Sequence, residues 1–424
     1  MRVVVVGAGP VGLVCALARA DRGDDVTVVE RDDAERRSVF QYRHPHFFRP
    51  QVRQVLEQLA PQAWQALLEA GAVPAAVPGM PPEMAASMSG VAVRRSVLEG
   101  ALRQVVEDDP RIRVVQGEVS QVLAKATVAG VVVDGQVLPA DLVLCSTGRT
   151  GTLGDAWRGT PEGGPCGLSY VSRMYRFTDG VDAFPQHFPM GAMGPGYQTI
   201  AFPQDDATLS ALIIRGSGDK ELAGLRDNAA FGRVAAAIPN LAPWTDPARF
   251  TPITDVMIGG LLTNTYRGQV AEGAPIGLLF VGDAVSTTNP AAGRGVTLGF
   301  LQAATLMSLL DEHEPDEARR RFADWCDAQV RPWYEDHVHN DAWLERRFRD
   351  EDLDYDAPLP SDLICDAASE APEIEQAVGG YRAMMAPPAV LRPHEPAARA
   401  VYQSGWRAPV QGPTRAEVAQ LIRG

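Results

Sequence analysis

Residues 3–12 read VVVVGAGPVG, and Asp25–Glu30 reads DVTVVE. The four valines are a continuous β-branched run, the pattern of a strand buried on both faces of a parallel sheet. Gly7, Gly9 and Gly12 follow in GxGxxG spacing, residues 11–21 carry small and apolar side chains with no breaker before Gly23, and DVTVVE is a second strand. Together they make one βαβ unit of about 30 residues. Gly7 permits the tight turn, Gly9 lets the backbone approach a pyrophosphate at a helix N-terminus, and Gly12 lets helix and strand pack closely. Glu30, 18 residues beyond Gly12, ends the second strand where a carboxylate can accept hydrogen bonds from an adenosine ribose. A structural glycine turn is the alternative for the glycines alone; strand, helix, second strand and terminal acid together favour dinucleotide binding. The acid disfavours a 2′-phosphate, so NADP fits poorly, and NAD and FAD both stay open.

The whole chain narrows the classes further. Its 424 residues suffice for two or three domains with a substantial core. With 39 Lys+Arg against 53 Asp+Glu the formal charge is −14, which opposes attraction to nucleic acid or an anionic membrane face. No apolar run approaches the roughly 18 residues of a membrane helix. Cys15, Cys145, Cys166, Cys326 and Cys365 are odd in number and widely spaced, without a CxxC pair, and read as small buried hydrophobes in a reducing compartment. A strand pattern beginning at Arg2 leads us to expect no cleavable leader. A cytoplasmic protein is expected.

Beyond residue 50 the pattern predicts helices over 51–71, a connection over 73–90, a helix over 97–107, and strands at 112–116, 119–123, 131–133 and 141–145. Gly130 and the Asp134-Gly135 pair mark reversals. After a loop-like 151–167, alternating aromatic-rich segments at 168–177, 197–202 and 208–214, the last two flanking an Asp205-Asp206 turn, predict an antiparallel sheet. Residues 278–281 return to a buried strand and lead to a helix over 296–310. Residues 316–349 are expected to be helical, and the acidic, Pro-rich remainder has little regular period.

The second loop decides between cofactors. LLFVGDAVSTTNPAAGRGVTLGFLQAATL, residues 278–306, resembles the GD segment of FAD-dependent aromatic hydroxylases and epoxidases. That resemblance implies that Asp283 binds the flavin ribityl chain and that Pro290, Gly293 and Gly295 border the isoalloxazine ring. The physics agrees: the two glycines let backbone N–H groups approach a ring carbonyl, and the helix beginning near Val296 turns its positive end toward it. A plain strand-turn-helix with a capping Asp is the alternative. ADLVLCSTGRTG (140–151), GLSYVSRMYRF (167–177) and QYRHPHF (41–47) are similar to segments of squalene-epoxidase-like bacterial flavoproteins, including polyether epoxidases. The resemblance covers about residues 1–310. It implies cofactor contacts at Gly7, Gly9, Pro10, Gly12, Glu30, Arg31, Arg43, Arg95, Val119, Gly148, Gly282, Asp283, Pro290, Gly293, Gly295 and Val296.

The sequence departs from that pattern in three places: Cys145 stands for the usual acid before threonine-glycine, Arg294 for the usual glutamine between the late glycines, and Ala292 for an often aromatic residue. Arg294 could stabilise the flavin N1–C2 anion, hold a substrate carboxylate, or form a loop-surface salt bridge. His44, beside the flavin-side loop, is read as orienting ring or substrate, or as loop packing. His44 and His46 form an HxH with no supporting carboxylate or cysteine, so no metal is expected. Gly216-Ser217-Gly218 lacks a third glycine and reads as a hairpin-to-helix turn. Met190, Met193, Tyr197 and Phe202 could line an apolar pocket or be core. No WxWxIP-type halogenase signature occurs.

The expected fold class is therefore α/β. A discontinuous Rossmann-type FAD-binding domain (1–150 and 271–312) is joined to an α+β substrate domain with an antiparallel sheet (151–270) and a helical or irregular C-terminal region (313–424). The expected function is an FAD-dependent monooxygenase of the p-hydroxybenzoate hydroxylase fold, nearest the epoxidase-like branch. Through a flavin C4a-hydroperoxide it would insert one oxygen atom of O₂ into a mainly apolar small molecule of secondary metabolism, by epoxidation or hydroxylation. Arg294 and His44 are the candidate catalytic side chains. Electrons would come from NAD(P)H, directly or through a flavin reductase partner, and Cys145 tilts the reading to the second. The alternatives are an FAD-dependent dehydrogenase or alkene reductase of the geranylgeranyl-reductase kind, and a non-enzymatic flavin-binding protein.

Overall fold

The opening strand, Arg2–Val6, is the middle of a five-stranded parallel sheet, and its four valines are buried on both faces. The strand order is Leu278–Phe280, Leu142–Cys145, Arg2–Val6, Asp25–Glu30 and Ile112–Gln116, with every pairing parallel. The chain leaves the central strand on one side through the helix Pro10–Asp21 and comes back on the other side at Leu142. This reversal opens a crevice at the carboxyl ends of the strands, where α/β sheets bind ligands. Gly7 stands at that end.

The computed structural model describes residues 1–33, 40–75, 89–178, 191–271 and 273–424. They form two compact units, the first of Met1–Arg43, Phe47–Gly164 and Thr263–Tyr334, the second of His44–His46, Pro165–Leu262 and Glu335–Gly424. The expected boundaries shift accordingly: 151–164 and 263–270 join the first unit. Nor is the C-terminal stretch a region of its own. Residues up to Tyr334 join the first unit because Phe322, Cys326 and Val330 enter its core; those from Glu335 on belong to the second.

In the first unit a small antiparallel sheet runs over Val119–Ala124, Val128–Val133 and Gln136–Pro139. Asp134 (φ 47°) and Gly135 (φ 81°) make its second reversal as the two left-handed residues of a primed turn. Gly130 is not a reversal: it lies inside the middle strand, paired with Pro139, where a Cβ would strike the Leu138 carbonyl.

The second unit is built on an antiparallel sheet ordered Gly191–Gly194, Tyr197–Pro203, Thr208–Gly216, Leu168–Phe177, Phe250–Pro252, with Met257–Gly259 also on the long strand. Asp206 and Ala207, both at positive φ, close its central hairpin. Gly216-Ser217-Gly218 is a turn leading to a short 3-10 segment. Val171, Tyr175, Tyr197, Ala201, Leu209, Ala211 and Ile213 pack with Phe231, Val234 and Val418 into this unit's core. The tail read as irregular contains the helices Ser361–Ala367, Glu375–Arg382, Glu395–Gln403 and Arg415–Arg423. Each is two turns or so long, too short for a helical period to stand out, and side-chain bonds hold them. Asp336, itself buried, accepts from Ser361 (2.5 Å), Tyr381 (2.6 Å) and Asn340 (3.1 Å).

A Cβ on Gly12 would fall closer than 3.0 Å to the Gly7 carbonyl oxygen and to Ser146 Oγ, whereas one on Gly100, inside the helix Arg95–Asp108, meets nothing within 4 Å. Gly12→Ala should therefore destabilise the protein by about 2 kcal/mol or more, and Gly100→Ala should stabilise it by about 0.5–1 kcal/mol through helix propensity. Denaturant unfolding of both variants tests the pair.

Candidate functional site

The glycine turn is held from three sides. Gly7 adopts φ +103° and donates to the Val29 carbonyl at 2.8 Å. Ser146 Oγ donates to the carbonyl of Gly7 at 2.7 Å. Glu30, buried, accepts from Ala8 N–H (2.7 Å) with one carboxylate oxygen and from Asp32 N–H (2.9 Å) with the other. The acid expected at a ribose is thus also a staple of the turn. Gly9 and Pro10 start the helix Pro10–Asp21 without a capping side chain, so its first-turn N–H groups, with no partner inside the helix, face outward where an anion is favoured. Arg31 is half-exposed and 4.0 Å from Glu118, just before Val119. Gly148 (φ +71°) follows Ser146 at the end of the neighbouring strand.

The late loop lies against this turn. A Cβ on Gly299 would stand 2.5 Å from Val11 Cγ2 and 3.4 Å from Gly282 Cα, so the helix Gly295–Glu312 is in close contact with both the first helix and the GD segment. Gly282 (φ +70°) donates to Gln302 Oε1 at 2.9 Å. Asn289 caps the short turn Pro290–Ala292 by accepting from Ala291 N–H (3.1 Å), and its own N–H donates to Asn264 Oδ1 (2.6 Å). Gly293 adopts φ +62°, and Gly295 and Val296 open the helix.

Charge concentrates here. Burial pushes the Asp283 carboxyl upward, and the positive charges of Arg95 and Arg149 pull it back. Arg158 donates to the carbonyls of Gly268 (2.8 Å) and Ala284 (2.5 Å) and stacks on Phe280; burial, reinforced by Arg267, lowers it to about 10. Arg49 donates to the carbonyls of Ala292 (2.9 Å) and Gly293. Arg294 is 5% exposed, its guanidinium 4.7 Å over the ring of Trp333. The loop-surface salt bridge does not apply to so buried a group. Five arginines thus address residues 283–294, in a chain of strongly negative net charge. Ser286, Thr288 and Thr297 on the same segment are buried, and among the described residues their hydroxyls find no hydrogen-bond partner. A polar ligand with phosphates and hydroxyls fits this donor set.

Among the expected residues, Glu30 holds the Gly7–Gly12 turn, Gly282 lies against Val11 in the helix that Pro10 opens, Gly295 lies beside Asp283, and Arg95 is within electrostatic reach of Asp283, while Pro290, Gly293, Arg294 and Val296 share the late loop. Arg43 ends a short 3-10 turn, Phe40–Arg43, in the same unit. His44 groups with the second unit. Its Nδ1 lies 2.9 Å from Ser172 Oγ, its ring meets Tyr170 edge-on at 5.0 Å, and burial lowers it to about 4, opposed by the Ile258 backbone. That is loop packing on the sheet, not a base poised near neutrality. His46 Nδ1 faces the His44 carbonyl (2.8 Å), and among the described residues no group of His, Cys, Asp and Glu could hold a metal. Tyr197 is core, its hydroxyl donating to Pro413 O (2.9 Å); Met193 and Phe202 are half-buried, and Met190 lies outside the described residues. Cys145, where an acid was the expected pattern, is fully buried with its thiol pushed up to about 12. Sequence reasoning missed Ser146, Arg49, Arg149, Arg158 and Asn264. All but Arg149 act through backbone carbonyls or N–H groups, which leave no motif.

Comparison with known proteins agrees with the fold. A family model described as pyridine nucleotide-disulphide oxidoreductase matches residues 2–40. Protein Rv3254 of Mycobacterium tuberculosis is 26% identical over 353 residues, 72% of each chain. PqsL of Pseudomonas aeruginosa, a probable FAD-dependent monooxygenase, superposes with a TM-score of 0.62 at 14% identity, over 82% of this chain and 98% of that one. The flavin-dependent brominase Bmp2 gives 0.61 at 14% over 96% and 100%, and Klebsiella pneumoniae HpxO complexed with FAD and uric acid gives 0.57 at 15% over 83% and 93%. The chain has the fold of FAD-dependent monooxygenases, with its Rossmann-type domain.

The burial of His44 has a pH signature. The neutral imidazole is favoured in the folded state, so the unfolded chain binds the proton first, between about pH 6.5 and 4. The stabilisation is complete above that window and lost as pH falls through it, by up to about 3 kcal/mol. The difference in unfolding free energy between the wild type and His44→Gln should shrink by at least about 1 kcal/mol from pH 7 to pH 4.5; chemical denaturation at both pH values measures it.

Proposed function

We propose that the protein is an FAD-dependent oxidoreductase of the monooxygenase type, with the ADP part of the cofactor on the Gly7–Gly12 turn and the flavin part on residues 282–297. The observation that carries this is the packing of two glycine loops, about 280 residues apart in sequence, through Val11, Gly282 and Gly299, with Asp283 and three unpartnered buried hydroxyls on the second loop. The residues present fit the cofactor. When bound, FAD supplies electron transfer and delivery of one oxygen atom from O₂.

The chain's own tasks follow from its geometry. The start of the helix Pro10–Asp21 binds the pyrophosphate through backbone N–H groups. Glu30 accepts from the ribose while keeping the turn shut, and Asp283, which burial pushes up and the charges of Arg95 and Arg149 pull back, accepts from the ribityl hydroxyls. The first turn of Gly295–Glu312 and the buried Arg294 present positive potential to negative charge that develops on the ring. In the second unit, the sheet face carrying Tyr170, Met174, Ile200, Leu212 and Ile214, together with Ser172, Ser210 and Gln198, lies opposite the core-facing residues. Its five large apolar side chains support a mainly apolar small-molecule substrate. Epoxidation or hydroxylation in secondary metabolism, electrons from NAD(P)H directly or through a reductase, and a cytoplasmic setting complete the proposal. The setting is supported by five buried, unbridged cysteines.

An anaerobic absorbance titration of FAD-saturated protein with NADH and then NADPH is the test. Bleaching by a nicotinamide supports direct use, a bound but oxidised flavin supports a reductase partner, and no flavin binding overturns the reading. O₂ uptake coupled to substrate consumption separates monooxygenase from dehydrogenase or alkene reductase. Asp283→Ala should weaken FAD binding at least about tenfold, measured by flavin fluorescence.

A further inference from the structure

Arg49 has no counterpart among the expected cofactor contacts, yet its setting is tightly defined. Phe48, before it, is 1% exposed and exchanges backbone hydrogen bonds with Val91 (Phe48 N–H to Val91 O, 3.2 Å; Val91 N–H to Phe48 O, 2.7 Å). Gly90 makes this bridge feasible, because a Cβ there would collide with the Phe48 carbonyl and the Phe47 ring. Pro50, after it, is the first residue of the helix Pro50–Leu59. The arginine's backbone is therefore fixed on both sides, and its guanidinium reaches across 243 positions of sequence to the carbonyls of Ala292 and Gly293.

A trans peptide sets its N–H opposite its C=O. By taking the carbonyl of Gly293, Arg49 turns the N–H of Arg294 away from itself. The N–H of Gly293 is already directed to Pro290 O at 2.8 Å. Gly293 at φ +62° has no side chain to hold this peptide, and the preceding Ala292 is small, so the fork of Arg49 is what selects its orientation.

We propose that Arg49 is a positioning residue for the flavin, acting through the backbone: its bidentate grip on the 292 and 293 carbonyls orients the 293–294 peptide and the first turn of the following helix toward the ring carbonyl. This rests on the flavoprotein reading above. A guanidinium can hold two carbonyls in one plane; an ammonium carries the same charge but not that geometry.

The test compares Arg49→Lys and Arg49→Met with the wild type by flavin fluorescence titration, spectroelectrochemical midpoint potential and visible circular dichroism of bound FAD. Arg53→Met, which removes a guanidinium paired with Glu57 and lying over Trp64, is the control. Both Arg49 variants should bind FAD at least fivefold more weakly, show a lower midpoint potential and an altered dichroism, while Arg53→Met matches the wild type. If Arg49→Lys retains wild-type affinity, potential and dichroism, charge alone suffices and the positioning role is overturned. The same holds if Arg53→Met behaves like the Arg49 variants. Should Arg49→Met fail to fold, Arg49→Lys alone decides. A wild type that binds no FAD would instead sink the flavoprotein reading itself.

Discussion

The structure depends on backbone approaching backbone without Cβ atoms between. Gly12 sits over the carbonyl of Gly7 and the hydroxyl of Ser146, and Gly299 sits over Val11 and Gly282. These two contacts stack the first helix on the central strand, and the late helix on the first. Everything proposed for the cofactor follows from them, because they bring two helix starts and the GD segment to one end of a parallel sheet. The reversal of strand order around Arg2–Val6 then leaves that end open. The constraint is steric first and electrostatic second: helix ends favour anions only if the anion can come near.

The electrostatics of the late loop is a balance among buried groups. Asp283 is pushed toward its neutral form by burial and held back by Arg95 and Arg149. Arg95 is also locked to Glu99 at 2.5 Å, a carboxylate that is 2% exposed. Arg158, though lowered to about 10, stays protonated at neutral pH and gives its charge to carbonyl dipoles rather than to a carboxylate. Several arginines thus gather around one buried carboxylate in a chain whose overall charge is −14. That concentration is not visible in the composition.

What the sequence made legible was periodic or glycine-marked. Four valines, a GxGxxG and DVTVVE define the βαβ unit, and alternation with an Asp205-Asp206 turn defines the hairpin of the second unit. Gly130 misled because a strand glycine at φ 157° and a turn glycine look alike in sequence. The C-terminal helices were less legible because each is only two turns or so long, and the Asp336 knot that ties two of them is a tertiary contact. In the candidate site the sequence points to residues that carry a motif, and it gives no sign of Ser146 or Arg158, since a hydroxyl or guanidinium bonded to distant carbonyls has no spacing to read. For His44 the sequence leaves loop packing and orientation of ring or substrate side by side, and its burial against Tyr170 and Ser172 is a tertiary fact that no spacing reveals.

All but two of the 39 basic residues are arginine, and the structure shows what that choice does. Arg49 holds the carbonyls of 292 and 293, Arg158 those of 268 and 284, Arg399 those of 355 and 357, and Arg233 those of 421 and 422. Arg49 and Arg399 each span two carbonyls of irregular backbone with the two ends of one planar fork, Arg158 reaches both of its carbonyls through a single terminal nitrogen, and Arg233 ties down the last turn of the helix Arg415–Arg423. Lysine, a point charge on a flexible stem, gives up more side-chain freedom for each such bond. Irregular segments are where this chain carries its candidate chemistry. A fold whose loops are tied down by forks of this kind can keep a left-handed glycine and a helix start in register with a bound ring without a rigid element at that point.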